Sequence, residues 1–84
     1  MFIKLNVCKV HYQNSFTGGH AVYINFDHVE TFEAGTYDPY PNGGSPKEEW
    51  LPCTVVRLSN GQGQYRVNET PEYIFNVLNG VPKL

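Results

Sequence analysis

The sequence predicts an α+β domain: a small antiparallel five-stranded sheet or partly open barrel, with one C-terminal helix. Three observations carry that expectation. Apolar and polar residues alternate at period two along most of the chain, the pattern of half-buried strands. Asn60-Gly61 stands between two such runs, and both residues tolerate the positive φ of a tight hairpin. After Thr70-Pro71 the period becomes helical and holds to Leu78.

The first strand is read over residues 2–12. Ile3, Leu5 and Val7 alternate on one face, and Cys8, Val10 and Tyr12 resume with the parity switched, so a bulge or twist is expected near Val7. Residues 13–19 form a polar, glycine-bearing connection with Phe16 at its tip. The second strand sets Val22, Ile24 and Phe26 against Ala21, Tyr23 and Asn25. Asp27 turns the chain into a third strand, where Val29, Thr31 and Glu33 alternate with Glu30, Phe32 and Ala34. In the fourth, Val55 and Arg57 alternate with Thr54, Val56 and Leu58. Gly63 leaves room for a bulge, and Tyr65 and Val67 then mark one face of the fifth.

The helix start is well marked. Thr70 supplies the cap, Pro71 occupies the first position, where no N–H is needed, and Glu72 sits near the positive end of the dipole. Ile74, Val77 and Leu78 form one apolar face, Tyr73 and Phe75 widen it, and Gly80 with Pro82 supplies the stop.

Length and charge narrow the function. A chain of 84 residues reads as a single domain, 1–84, that buries roughly 60–65% of the surface its unfolded form exposes. So modest a core favours self-association, and a homo-oligomer is expected. Six Lys plus Arg against eight Asp plus Glu give a net charge of −2, which disfavours a nucleic-acid partner. The chain opens on no secretory-signal pattern and has no apolar run near the roughly 20 residues of a membrane span, so a cytoplasmic protein without a membrane partner is expected. In that compartment Cys8 and Cys53 stay reduced, as small buried side chains.

No catalytic or metal-binding constellation emerges. Cys8 and His11 have a C-x-x-H spacing, but on a strand residues three apart point to opposite faces. His28 and Glu30 share a face without a third ligand, and His20 reads as a turn residue beside Gly18-Gly19. "NGQGQ" joins two strands and lacks the lysine and Ser/Thr of a phosphate loop. An enzyme is not expected, nor any cofactor or metal.

Three segments, "IKL", "INFDHVETFEA" and "TVVRLSNGQGQYRVNETPEYIFNVL", resemble the small bacterial flagellar proteins of the FlbD family. The shared features are an apolar first strand, an "Ile-Glu"-type strand after an asparagine-containing turn, an "LxNG" hairpin and a "V-x-E-(S/T)" entry to a terminal helix. The likeness covers about half of the chain. It implies that family's fold, in a flagellar protein or in a bacteriophage or prophage product built on the same plan. Two segments are longer than the family's compact pattern, residues 11–21 and 36–52.

The second of these, "TYDPYPNGGSPKEEWLP", is the best candidate for a contact surface. Loops longer than about 12–15 residues without secondary structure are uncommon in compact domains and tend to be functional or disordered. Tyr37, Tyr40 and Trp50 are of interface-anchor type, and Pro39, Pro41, Pro46 and Pro52 lower the entropy lost when the loop docks. The expected function is therefore a noncatalytic interaction module that uses this loop and the Tyr73/Phe75 flank of the helix to bind or inhibit a bacterial protein, or to pair with its own subunit. The alternative is a protein that sequesters a small, nucleotide-like ligand between two subunits, with Arg57 or Arg66 on its acidic groups. A single-stranded nucleic-acid binder using Tyr23, Tyr65 and Arg66 comes third.

Overall fold

The computed structural model describes residues 1–43 and 46–80. The fold is α+β: antiparallel sheets with one C-terminal helix. In chain order the strands are β1 (Phe2–Asn6), β2 (Val10–His11), β3 (Phe16–Thr17), β4 (Ala21–Asn25), β5 (Val29–Tyr37), β6 (Leu51–Leu58) and β7 (Gln64–Val67), followed by helix α1 (Pro71–Leu78). They form three separate sheets, β1-β4, β2-β3 and β5-β6-β7, where one five-stranded sheet or barrel was expected.

Two local features divide the sheets. The parity switch near Val7 breaks the first alternating run into β1 and β2: Val7 forms one antiparallel bridge with Val67, and Val7 N–H turns to His20 O at 2.9 Å. Pairing between β1 and β7 thus goes no further than that bridge. At the other end of β4, a 3-10 turn, Phe26–His28, redirects the chain into β5, with the Asn25 side chain accepting from Asp27 N–H at 3.1 Å. Phe26 therefore sits in the turn, not on β4.

A register shift between Val29 and Thr31 corrects the reading of β5. One extra residue lets Val29 and Phe32, assigned to opposite faces by simple alternation, both pack on the same core cluster. The Asn60-Gly61 turn forms as expected, with φ of 60° and 67°. So does the helix start: Thr70 Oγ1 accepts from Tyr73 N–H at 3.1 Å and Pro71 opens α1. Pro82 lies outside the described residues. Among these no helix is long and apolar enough to cross a membrane.

Strand β6 is buried on both faces, because Cys53, Thr54, Val55 and Val56 are all inaccessible. Val56 joins Ile3, Leu5, Ile24, Val67 and Ile74 in an aliphatic cluster under α1. On the opposite face Cys53 and Val55 meet Cys8, with Tyr37 packed alongside. Buried Thr54 is satisfied by a 2.6 Å bond from its hydroxyl to Glu69 O.

Candidate functional site

The two connections that run from His11 to Ala21 and from Thr36 to Pro52 meet each other. The β2-β3 hairpin leaves the sheet after Cys8 and returns through Gly18 and Gly19, at φ of 78° and 72°. Gly18 has no alternative there, since a Cβ would run into the Cys8 carbonyl oxygen. Gly19 N–H donates to Val7 O at 2.9 Å and fixes the return. The excursion between β5 and β6 is shorter than its sequence suggested, because Thr36 and Tyr37 pair with Pro52 and Leu51. Residues 38–43 and 46–50 are left outside the strands, and 3-10 turns at Pro41–Gly43 and Lys47–Glu49 occupy part of them.

His11 joins the two segments. Its backbone N–H donates to Pro39 O at 2.7 Å, and its ring stacks on Tyr40 with centroids 5.0 Å apart and planes 19° from parallel. Tyr40 is held from the other side as well: its N–H donates to the Asp38 carboxylate at 2.9 Å, and its carbonyl accepts from Gly43 N–H at 3.0 Å. Tyr40 is nonetheless 54% exposed. Next to the stack lies an open cleft of about 360 Å³ lined by His11, Tyr12, Gln13, Tyr40, Asn42 and Gly43. Its lining offers aromatic faces, hydroxyls, an imidazole and carboxamides, groups suited to stacking and hydrogen bonding, and carries no formal charge with the imidazole neutral.

Beneath the hairpin lies the Cys8-Cys53 cluster. Both thiols are free and buried. Burial pushes the Cys8 thiol up from 9.0 to about 11, Cys53 beside it adds to the rise, and a hydrogen bond with Tyr37 opposes it. Cys53 is raised by burial too, against the pull of Arg66. The Tyr37 hydroxyl is raised for the same first reason, with both thiols adding. These thiols stay protonated at neutral pH, which makes them packing groups and poor nucleophiles.

The residues singled out in the sequence fall in different places. Tyr40 alone among them lines the cleft. Tyr37 belongs to β5 and is half-buried against the cysteines, so it is not part of the loop surface. Trp50 is half-buried at the end of the Lys47–Glu49 turn, with Lys47 Nζ 5.8 Å from its ring. Tyr73 packs against the aliphatic cluster, while Phe75 is 59% exposed on a shallow groove with Phe32, Pro71, Glu72 and Asn76. Arg57 is engaged by Glu33 at 3.0 Å and by Gln64 at 3.3 Å. Arg66 lies beside Cys53, so neither arginine borders the cleft. Sequence reasoning missed His11 and Tyr12; the signal was the excess length beginning at His11, but nothing local told which other segment it would touch. Among the described residues no three His, Cys, Asp or Glu side chains come together as a metal site. Comparison with protein-family models, curated proteins and solved structures finds no match to this chain.

Proposed function

We propose that the protein is a noncatalytic protein-interaction module that binds a bacterial partner protein at the cleft where the β2-β3 hairpin meets residues 39–43. The observation that carries this reading is Tyr40: a large aromatic side chain, half in solvent, whose backbone is clamped on both sides and whose ring is already stacked on His11. An aromatic anchor fixed before binding loses little conformational freedom on docking, which is what makes such residues dominant in interfaces. Exposed Phe75 and its groove extend the apolar surface on another side of the molecule. The cytoplasm of a bacterium, or a bacteriophage product made there, is the setting of this reading. Its relation to the FlbD-like proteins is supported by the Asn60-Gly61 hairpin and the Thr70-capped helix standing where the resemblance puts them.

Sequestration of a nucleotide-like ligand has less support. A cleft of about 360 Å³ is at the small end of ligand pockets, and it offers no cation to a phosphate. Affinity capture from bacterial lysate, run with wild type, Tyr40→Ala and His11→Ala, tests the main reading. Both substitutions abolish capture of the same protein while the urea midpoint changes little. Undiminished capture by both variants refutes the cleft as the binding surface.

A further inference from the structure

The direction of the backbone groups along β5 follows from the ladder bonds. Cys8 N–H reaches Arg66 O and Asn68 N–H reaches Asn6 O, both at 2.9 Å, so Arg66 and Asn68 turn their groups toward β1. Tyr65 and Val67 then face β6, and the register sets them opposite Val56 and Thr54. Leu58 N–H, bonded to Gly63 O at 3.0 Å, keeps the same phase. Cys53, Val55 and Arg57 are left to bond the groups of Gly35, Glu33 and Thr31. The N–H and C=O of Phe32, Ala34 and Thr36 consequently point off the free edge of the β5-β6-β7 sheet. Among the described residues none of these groups has a hydrogen bond outside the ladder, and Ala34 and Thr36 are exposed.

We infer that this edge pairs with the same edge of a second copy, antiparallel about Ala34. The outward set is self-complementary in that register. Phe32 of one copy faces Thr36 of the other, Ala34 faces Ala34, and each pair exchanges two N–H···O bonds. Between them Glu33 faces Gly35 and Thr31 faces Tyr37, so no charge meets a like charge from Thr31 to Tyr37. Glu33 in addition keeps Arg57 at 3.0 Å. A register centred on Glu33 bonds the same outward groups but opposes two carboxylates at its centre, and one centred on Gly35 sets Phe32 against Asp38, beyond the end of β5. Registers centred on Phe32 or Thr36 run into the Glu30 bulge or past the end of β5 at Tyr37. The Ala34 contact is isologous and closes on itself, giving a six-stranded sheet without open growth. It also covers the long unpaired edge that a soluble chain otherwise leaves as a template for aggregation. The Phe32-Phe75 groove flanks the new ladder on the helix side.

This pairing extends the oligomeric expectation to a named edge and does not depend on Tyr40. Light scattering on wild type, Ala34→Glu, Ala34→Lys and an equimolar mixture of the two variants tests it. Position 34 is exposed, so either side chain fits the monomer. Wild type is a dimer, each variant alone is a monomer because like charges meet at the centre, and the mixture recovers a heterodimer. A wild type that is monomeric at every concentration overturns the pairing and leaves the edge to an extended segment of another protein. Variants that both remain dimers, or a mixture that stays monomeric, overturn it too. Hydrogen exchange on wild type needs no substitution: the amides of Phe32, Ala34 and Thr36 are protected in the dimer and lose protection on dilution, while those of Thr31, Glu33 and Gly35 stay protected. Unprotected Phe32, Ala34 and Thr36 in a dimeric sample place the contact elsewhere.

Discussion

The two faces of β6 are packed by different means. On the helix side Val56 meets Ile3, Leu5, Ile24, Val67 and Ile74, aliphatic side chains drawn from β1, β4, β7 and α1. On the hairpin side Cys53 and Val55 meet Cys8 and the flank of Tyr37. Gly35 is part of that side, because a Cβ there would stand 3.0 Å from Val55 Cγ2. The first cluster is pure apolar volume held by regular elements. The second contains three groups whose protonation burial displaces, Cys8, Cys53 and Tyr37, and its cover is tied down by a few backbone bonds such as Cys8 N–H to Arg66 O and His11 N–H to Pro39 O. One face of a central strand thus carries the larger apolar cluster. The other is covered by connecting segments at the surface, which is where a recognition surface is most easily built.

Substitution at the centre of each cluster gives the sharpest test of that contrast. Ile74→Ala is expected to cost about 3 kcal/mol by urea titration, from lost transfer energy and the cavity it leaves, and Cys53→Ala about 1 kcal/mol. Equal losses would mean that the two faces support the fold alike. Alkaline pH comes next and acts on the hairpin side. Cys8 titrates at about 11 when folded and near 9.0 when exposed, so between these values the unfolded chain binds fewer protons and stability falls as pH rises. The loss reaches roughly 2 kcal/mol at pH 11. Thermal denaturation from pH 7 to 11 shows that slope in wild type and a shallower one in Cys8→Ala, where Cys53 and Tyr37 still contribute, while Ile74→Ala lowers the curve without changing its shape. The smallest effect is at the surface. Arg57→Ala removes an ion pair whose side chains are half exposed, and a change within about 0.5 kcal/mol is expected. A loss several times larger would make the arginine part of the hairpin-side packing.

Much of this was legible where local chemistry decides the outcome. Thr70-Pro71-Glu72 specified a helix start, Asn60-Gly61 specified a hairpin, and the parity switch at Val7 marked a real break in the first strand. The misreadings share a cause. Alternation assumes one residue per pleat, so the bulge after Val29 turned Phe32 to the face it was not assigned. Composition marked Tyr37 as a loop aromatic, but pairing with Leu51 draws it into β5. Tyr73 widened the helix stripe on paper, and in three dimensions the stripe is wide enough to bury part of it. The His11-Tyr40 stack was invisible because it joins segments almost thirty positions apart through one backbone bond and one ring contact, and neither leaves a period in the sequence.

Gly18 sets a rule for anyone redesigning this molecule. Residues between Tyr12 and Phe16 project into solvent, and the turn they form can be exchanged for another of similar span. The chain must still re-enter through a position without a side chain, pressed against the Cys8 carbonyl. Grafted recognition loops therefore have one fixed gatepost, and libraries built on this scaffold should randomise the tip and leave residue 18 alone.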